Sequence, residues 1–390
     1  KQKTAYEIGV RLVGSEMCIR DSFLAILRKD FMAFVQKSFH ELEGKPLIPS
    51  INIDIICDAL MRAYLGMKPR QIINVPPRSL KSFIVTVCFP AWLLGRNPKA
   101  RIIALSYAQD LAAKFSRDTR RLMGADWYKR TFPKTRLNPN KSGENEFETT
   151  EGGFRMSTSV GGILTGRGAD YIIVDDPMKP ADAYSDTIRN KTNEWVDNTL
   201  FTRLDDKRDG RMIIVMQRLH SDDLTGHLSS KGFNQLILPA IAVEQEQFTL
   251  LDGRRIIRHP GDLLQPERET LEILDQLKAD MGSRNFSAQY QQQPVPFDGN
   301  ILKRDWVHRY DKIPPVHGLV FSLDVASATG KNNDYSVCTV WARKNGYAYL
   351  VDVYRMRLDF PSLIKKIREI LNKYGQFRNC LLYTSDAADE

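Results

Sequence analysis

Three segments of this chain carry side chains whose types and spacing suit phosphoryl chemistry. The first, VPPRSLKS from Val75 to Ser82, follows a short β-branched stretch and runs into a helical pattern at Phe83. Lys81 and Ser82 stand where a Walker A loop carries its lysine and hydroxyl. There the lysine reaches the β- and γ-phosphates, the hydroxyl binds Mg²⁺, and the helix N-terminus offers free N–H groups to phosphate. Val75 and Leu80 replace the two glycines of that loop, so the segment by itself reads equally well as a basic turn. The second segment, YIIVDDP, is an apolar strand that ends in Asp175 and Asp176. Burying charge is costly unless it is paired or bound to metal. The pair therefore suits Asp175 on Mg²⁺ and Asp176 polarising an attacking water; the alternative is a turn pair before Pro177.

The third segment, RMIIVMQRLHSDDLTG, is another apolar strand ending in polar Gln217 and Arg218, placed to sense a γ-phosphate. Ahead of the second segment, SVGGILTGRGAD sets Arg167 in a glycine-rich turn. An arginine there can act as an arginine finger, contact DNA or stay a solvated loop cation. Far downstream, Asp324 interrupts the apolar run Leu319–Val325, and Asp334 follows two asparagines. Asp324 suits a metal ligand of a two-metal nuclease; Asp334 suits a helper ligand or the cap of a hairpin turn.

These residues need strands that end near one another. Between residues 50 and 240, Ile72–Val75, Arg101–Tyr107, Tyr171–Asp176, Arg211–Gln217 and Gln235–Leu238 read as strands separated by helical patterns. Such alternation predicts a parallel sheet with helices on both faces and ligands bound beyond the strands' carboxyl ends. The fold class expected is α/β: a P-loop NTPase-type parallel sheet domain, then the N-terminal part of an RNase H-like nuclease domain. The latter rests on strands at Leu319–Val325, Tyr335–Arg343 and Tyr347–Arg355 and an amphipathic helix from Ser362 to Tyr374. The expected divisions are a motor domain at 23–240, a polar linker or subdomain at 241–316, and a nuclease part at 317–380.

Composition narrows the class. With 42% apolar and 26% charged residues, 390 residues can bury a sizeable core. The longest apolar run, Phe83 to Leu94, contains Pro90 and is too short to span a bilayer. It reads as a buried helix. The net charge of +9 fits a polyanionic partner or simply a basic soluble enzyme. Five cysteines without regular spacing provide neither a disulfide framework nor a metal pattern, so buried free thiols are expected. Residues 1–22 and 381–390 resemble translated sequencing-adapter DNA, the alternative for residues 1–22 being a genuine disordered terminus.

Taken together, NVPPRSLKS, SVGGILTGRGADYIIVDDPMKP, NEWVDNTLFTRL, VMQRLHSDDLTGHL, FSAQYQQQPVP and FSLDVASATGKNNDYSVCTVW resemble, in that order, the large subunit of phage and prophage terminases. The resemblance spans about residues 40 to 380. It implies an ATP site built by Pro77, Arg78, Ser79, Leu80, Lys81 and Ser82 with Gln217, and it makes Arg78 a catalytic candidate and Gln71 the adenine-side contact. Mg²⁺ would be held by Ser82 and Asp175, and Mg²⁺ or Mn²⁺ at the nuclease site by Asp324 and Asp334. Implied partners are double-stranded DNA, the portal protein, the small terminase subunit and further copies in a ring, in the host cytoplasm and transiently at the procapsid portal. The other readings are a helicase-like remodelling ATPase and an inactive docking protein for the portal or small subunit. The next nuclease strand, with its second acid, is expected near residue 379, where the adapter-like tail begins, so this chain is not expected to cut DNA.

Overall fold

The computed structural model describes residues 21–162, 164, 166–295, 307–312, 315–316, 318–325, 335–344 and 346–374, with the backbone of 382–383. It divides into two compact units, Lys1–Asn300 and Ile301–Glu390.

The first unit opens with helices α1 (residues 21–29), α2 (Phe31–Glu43) and α3 (Ile51–Tyr64). Asp30 caps α2 by accepting from the Ala33 N–H at 3.1 Å. Strand β1 (Arg70–Asn74) then leads through the Val75–Leu80 loop into a π-helical stretch, Phe83–Cys88, continued by α4 (Phe89–Arg96). Next come β2 (Arg101–Ser106), α5 (Gln109–Gly124), α6 (Asp126–Thr131), β3 (Leu137–Ser142), β4 (Glu146–Thr149), β5 (Phe154–Ser159) and β6 (Tyr171–Asp175). After α7 (Asp186–Trp195) follow β7 (Arg211–Met216), α8 (Leu224–Leu228) and β8 (Asn234–Ile237). The unit ends with the hairpin β9 (Glu246–Thr249) and β10 (Arg255–Arg258), then α9 (Leu271–Met281) and α10 (Ser283–Gln289).

Eight strands form one sheet in the order β3-β4-β5-β2-β6-β7-β1-β8. From β5 to β8 every pairing is parallel, as the alternating pattern predicts. The β3-β4-β5 edge is antiparallel, a feature the sequence reading did not anticipate. Its strands are short and polar, so periodicity gives little signal. They are tied by a turn that needs glycine: Gly152 has φ +87°, and a Cβ on Gly153 would meet the Pro98 carbonyl oxygen at 2.3 Å.

The central strands are buried on both faces. Ile73, Ile102, Ile173, Ile213 and Val215 face a core shared with Phe31, Phe34, Trp92 and Tyr128. Their neighbours Ile72, Ile103, Ile172, Val174 and Ile214 face a second core with Val196 and Leu200. Each fully buried aliphatic side chain contributes about 1.5–3 kcal/mol by area, so the strand ends are anchored by apolar rows on both sides. Residues 84–94 of the predicted apolar helix are all buried, and Cys57, Cys88 and Cys338 are free, buried thiols.

In the second unit β11 (Leu319–Asp324), β12 (Ser336–Lys344) and β13 (Tyr347–Met356) form an antiparallel meander. Helix α11 (Phe360–Lys373) follows, and the short β14 (Leu382–Tyr383) pairs parallel to β11, giving the order β13-β12-β11-β14. Ile370 of α11 packs with Leu319, Phe321, Leu323, Cys338 and Val340. Strand alternation therefore sets Val320, Ser322 and Asp324 on the opposite face. Asp352 fastens β13 to the end of α11, its Oδ2 accepting from Tyr354 Oη and Tyr374 Oη at 2.7 Å each and from Lys373 Nζ at 3.0 Å. No helix among the described residues is long and apolar enough to cross a membrane.

Candidate active site

Neighbouring strands β6, β7 and β1 end side by side, and their carboxyl ends bring five of the predicted residues together. Lys81 Nζ lies 3.0 Å from Asp176 Oδ1 and donates to Gln217 Oε1 at 3.2 Å. Ser82 Oγ donates to Asp175 Oδ1 at 3.0 Å. The backbone N–H of Gln217 donates to Asp176 Oδ1 at 3.3 Å. One cluster thus joins three segments that are far apart in sequence.

The loop that carries Lys81 is stiff. Pro76 and Pro77 fix their φ angles and supply no N–H. Ser79 Oγ donates back to the Pro76 carbonyl at 2.8 Å, and Asn52 Nδ2 of α3 donates to the Ser79 carbonyl at 2.9 Å, both within buried surroundings. Arg78 (φ 61°) and Leu80 (φ 62°) occupy the left-handed region usually left to glycine. Each costs about 1–2 kcal/mol, offset by the fixed prolines, the Asn52 bond and the packing of the Leu80 side chain against the apolar core. Leu80 therefore takes up the glycine-like backbone turn while its side chain joins that core. Val75, at the other substituted glycine, is buried and extends the strand ladder through its N–H to the Met216 carbonyl.

Asp175 is almost fully buried, and both its oxygens accept from hydroxyls: Ser82 on one side and Thr86 Oγ1, at 3.0 Å, on the other. Burial pushes its carboxyl up to about 7, with Asp176 adding to the rise and Lys81 and the two hydroxyls opposing it. A buried carboxylate bonded to neutral hydroxyls is short of positive charge. The hard-oxygen set of Asp175 and Ser82 fits Mg²⁺, which takes carboxylate and hydroxyl oxygens. Asp176 sits in the left-handed region (φ 42°), held by its N–H to Val215 and by Tyr107 N–H to its carbonyl.

Two predicted residues lie elsewhere. Gln71 belongs to the amino-terminal end of β1, the end away from the loop. Its side chain is buried and Nε2 donates to the Ile72 carbonyl at 3.1 Å. It lies outside this cluster, because a strand rising about 3.3 Å per residue sets it about 10 Å from the loop end of β1. Arg167 pairs with Glu146 at 2.9 Å and lies 5.8 Å from the Phe154 ring, at the start of β5. Phe154 is in register with Arg101 and Glu146 with Met156, whereas Asp175 is in register with Ser106, so Arg167 lies toward the amino-terminal side of the sheet and outside the cluster. Arg78 is exposed on the loop. Asp324 is exposed at the end of β11, and Asp334 lies outside the described residues. Among the described residues no group of three or more metal-ligating side chains forms.

Sequence reading missed three residues. Thr86 is one turn after Ser82 on the same helix face, a spacing that was legible. Asn52 gave no local signal. Arg155 is fully buried in β5, its Nη2 donating to the Thr86 carbonyl at 3.1 Å and its Nη1 to Ser157 Oγ. Burial lowers its guanidinium to about 9.

No curated protein matches the chain in sequence. Among solved structures, the HK97 bacteriophage large terminase is 14% identical over 92% of this chain and 74% of that one, with a TM-score of 0.41. A mutant of the ATPase domain of the Thermus phage P74-26 large terminase is 15% identical over 66% of this chain and 98% of that one, at 0.37. The family model described as terminase large subunit, T4likevirus-type, N-terminal, matches residues 72–308, more than half of the sequence, and the chain therefore belongs to the terminase large subunit family.

Proposed function

We propose that this chain is a DNA-packaging motor that couples ATP hydrolysis to movement of double-stranded viral DNA. The observation that carries this reading is the convergence of Lys81, Ser82, Asp175, Asp176 and Gln217 on adjacent strand ends. Ser82 and Asp175 would hold Mg²⁺, which when bound neutralises charge on the β- and γ-phosphates. Lys81 meets the same phosphates. Phosphate oxygens compete with Asp176 for the Lys81 ammonium, and the carboxylate so released orients the attacking water. Gln217, in contact with Lys81, reports the γ-phosphate. Pro77, Ser79 and Leu80 shape the loop, and Arg78 is the candidate for stabilising transferred charge from within the chain. Arg167 would serve a neighbouring copy's site, which fits a ring of subunits on a portal with a small terminase subunit, in the host cytoplasm.

The family relation supports DNA packaging, and the second unit's strand order with Asp324 on β11 supports an RNase H-like nuclease domain. Among the described residues, Asp324 is the one proposed Mg²⁺ or Mn²⁺ ligand of that site. The proposed division is a motor at 23–240, a subdomain at 241–316 and a nuclease part at 317–380.

The test is DNA-stimulated ATP hydrolysis by the full chain beside Lys81→Ala and Asp176→Asn. Activity in the parent and loss in both variants is the expected result. A folded parent that neither binds nor hydrolyses ATP would overturn the reading.

A further inference from the structure

Beyond Met216 the β7 ladder stops, and the next two backbone N–H groups find side-chain acceptors. The Gln217 N–H donates to Asp176 Oδ1 at 3.3 Å, within the cluster already described. The Arg218 N–H donates to Gln292 Oε1 at 3.0 Å, across 74 residues of sequence.

Gln292 is held for this contact. It is 2% exposed, its backbone lies in the left-handed region at φ 57°, and its Nε2 donates to the Gln289 carbonyl. Ordering a buried glutamine side chain costs rotamer entropy, and a non-glycine left-handed residue adds backbone strain. Its surroundings offset both. Gln291 Oε1 accepts from the Ile241 N–H at 3.0 Å while its Nε2 donates to the Ile241 carbonyl at 2.9 Å. The Tyr290 carbonyl accepts from the Ala240 N–H at 2.8 Å, and the Tyr290 and Phe286 rings stack at 5.2 Å. On the other side, Arg218 Nε donates to both oxygens of buried Asp223, at 3.0 and 2.9 Å, and Asp223 also accepts from the Leu219 and Gly226 N–H groups. Gln292 is therefore a bolt between two rigid blocks.

We propose that Gln292 is a positioning residue of the ATP site. By holding the Arg218 N–H it sets the plane of the 217–218 peptide. That peptide aims Gln217 Oε1 at Lys81 and keeps the Gln217 N–H on Asp176. Gln292 acts through these residues and touches no phosphate. The proposal deepens the ATPase reading and rests on it.

The test compares the full chain with Gln292→Met, which keeps length but removes the acceptor, and Gln292→Glu, which keeps an acceptor oxygen and, protonated as burial favours, a donor to the Gln289 carbonyl. Gln292→Met should lower kcat about tenfold, the order of one hydrogen bond, with KM for ATP within about twofold. Amide hydrogen exchange at Arg218 should quicken by a similar factor, about tenfold, and Gln292→Glu should restore much of both. Unchanged Arg218 exchange in Gln292→Met, or a lowered Tm with kcat intact, overturns the proposal and leaves Gln292 a structural clip. A parent without ATP hydrolysis would sink the ATPase reading instead, and Arg218 exchange would then decide whether Gln292 holds this peptide.

Discussion

Two carboxylates at strand ends, Asp175 in the first unit and Asp324 in the second, stand in opposite conditions. Asp175 is buried, has an acceptor bond on each oxygen, and is surrounded by Lys81, Ser82 and Thr86 from the loop-helix segment and by Asp176 beside it at the end of β6. Asp324 is exposed at the end of β11 on the sheet face away from α11. The difference follows from where the partners reside. A parallel sheet collects strand ends from distant parts of the chain at one edge, so a polar cluster can be assembled within one unit and its geometry held by apolar rows beneath. An antiparallel meander brings together neighbours in sequence, and β11 to β13 carry one candidate acid among the described residues.

The contrast can be broken most sharply by comparing Asp175→Asn with Asp324→Asn. The first should lower ATP hydrolysis by about a hundredfold or more, the second by less than about twofold. Equal losses would end the distinction between an assembled and an unassembled site. Stability should move the other way for Asp175. Its folded-state carboxyl is raised to about 7, above the unfolded value, so its contribution is full below about pH 4 and is lost as pH rises toward 7. Metal-free parent should lose Tm between about pH 4 and pH 7 relative to Asp175→Asn; parallel Tm curves would refute the burial argument.

The second test concerns cutting. Asp324 is the described candidate ligand for a nuclease metal, so any Mg²⁺- or Mn²⁺-dependent nicking of supercoiled DNA by this chain should be lost in Asp324→Asn while ATP hydrolysis persists. Nicking that survives the substitution would remove Asp324 from the proposed site.

A smaller effect is expected at Leu80→Gly. Removing the left-handed strain gains about 1 kcal/mol and losing the packed side chain costs about the same or slightly more. Tm should change by only a few degrees and hydrolysis should persist within about threefold. Abolished hydrolysis would mean that the leucine does more than replace a glycine.

The smallest effect belongs to Asp352. Its hydrogen bonds from Tyr354, Tyr374 and Lys373 hold its carboxyl well below the ordinary range. A depressed acid stabilises above the unfolded value near pH 4 and loses that contribution as pH falls further. The group is 31% exposed, so Asp352→Asn should loosen α11 only modestly, and the variant should be less sensitive than the parent to acid below about pH 4, read by hydrogen exchange in α11.

Much of this was legible without coordinates. The apolar runs at Ile72, Ile103, Ile172 and Ile213 specify strands buried on both faces, and the polar residues that end them, Lys81, Asp175, Asp176 and Gln217, mark the edge where they must meet. Local pattern suffices there because burial of alternate side chains and the position of a polar terminus are properties of one strand. Only the tertiary structure decided the rest. It set Gln71 and Arg167 outside the cluster, let Leu80 take a glycine-like turn on the strength of Asn52 and the core, and brought Thr86 to Asp175 and Gln292 to Arg218. Those outcomes depend on strand order and on hydrogen bonds between residues separated by 27 to 89 positions, which no local period encodes.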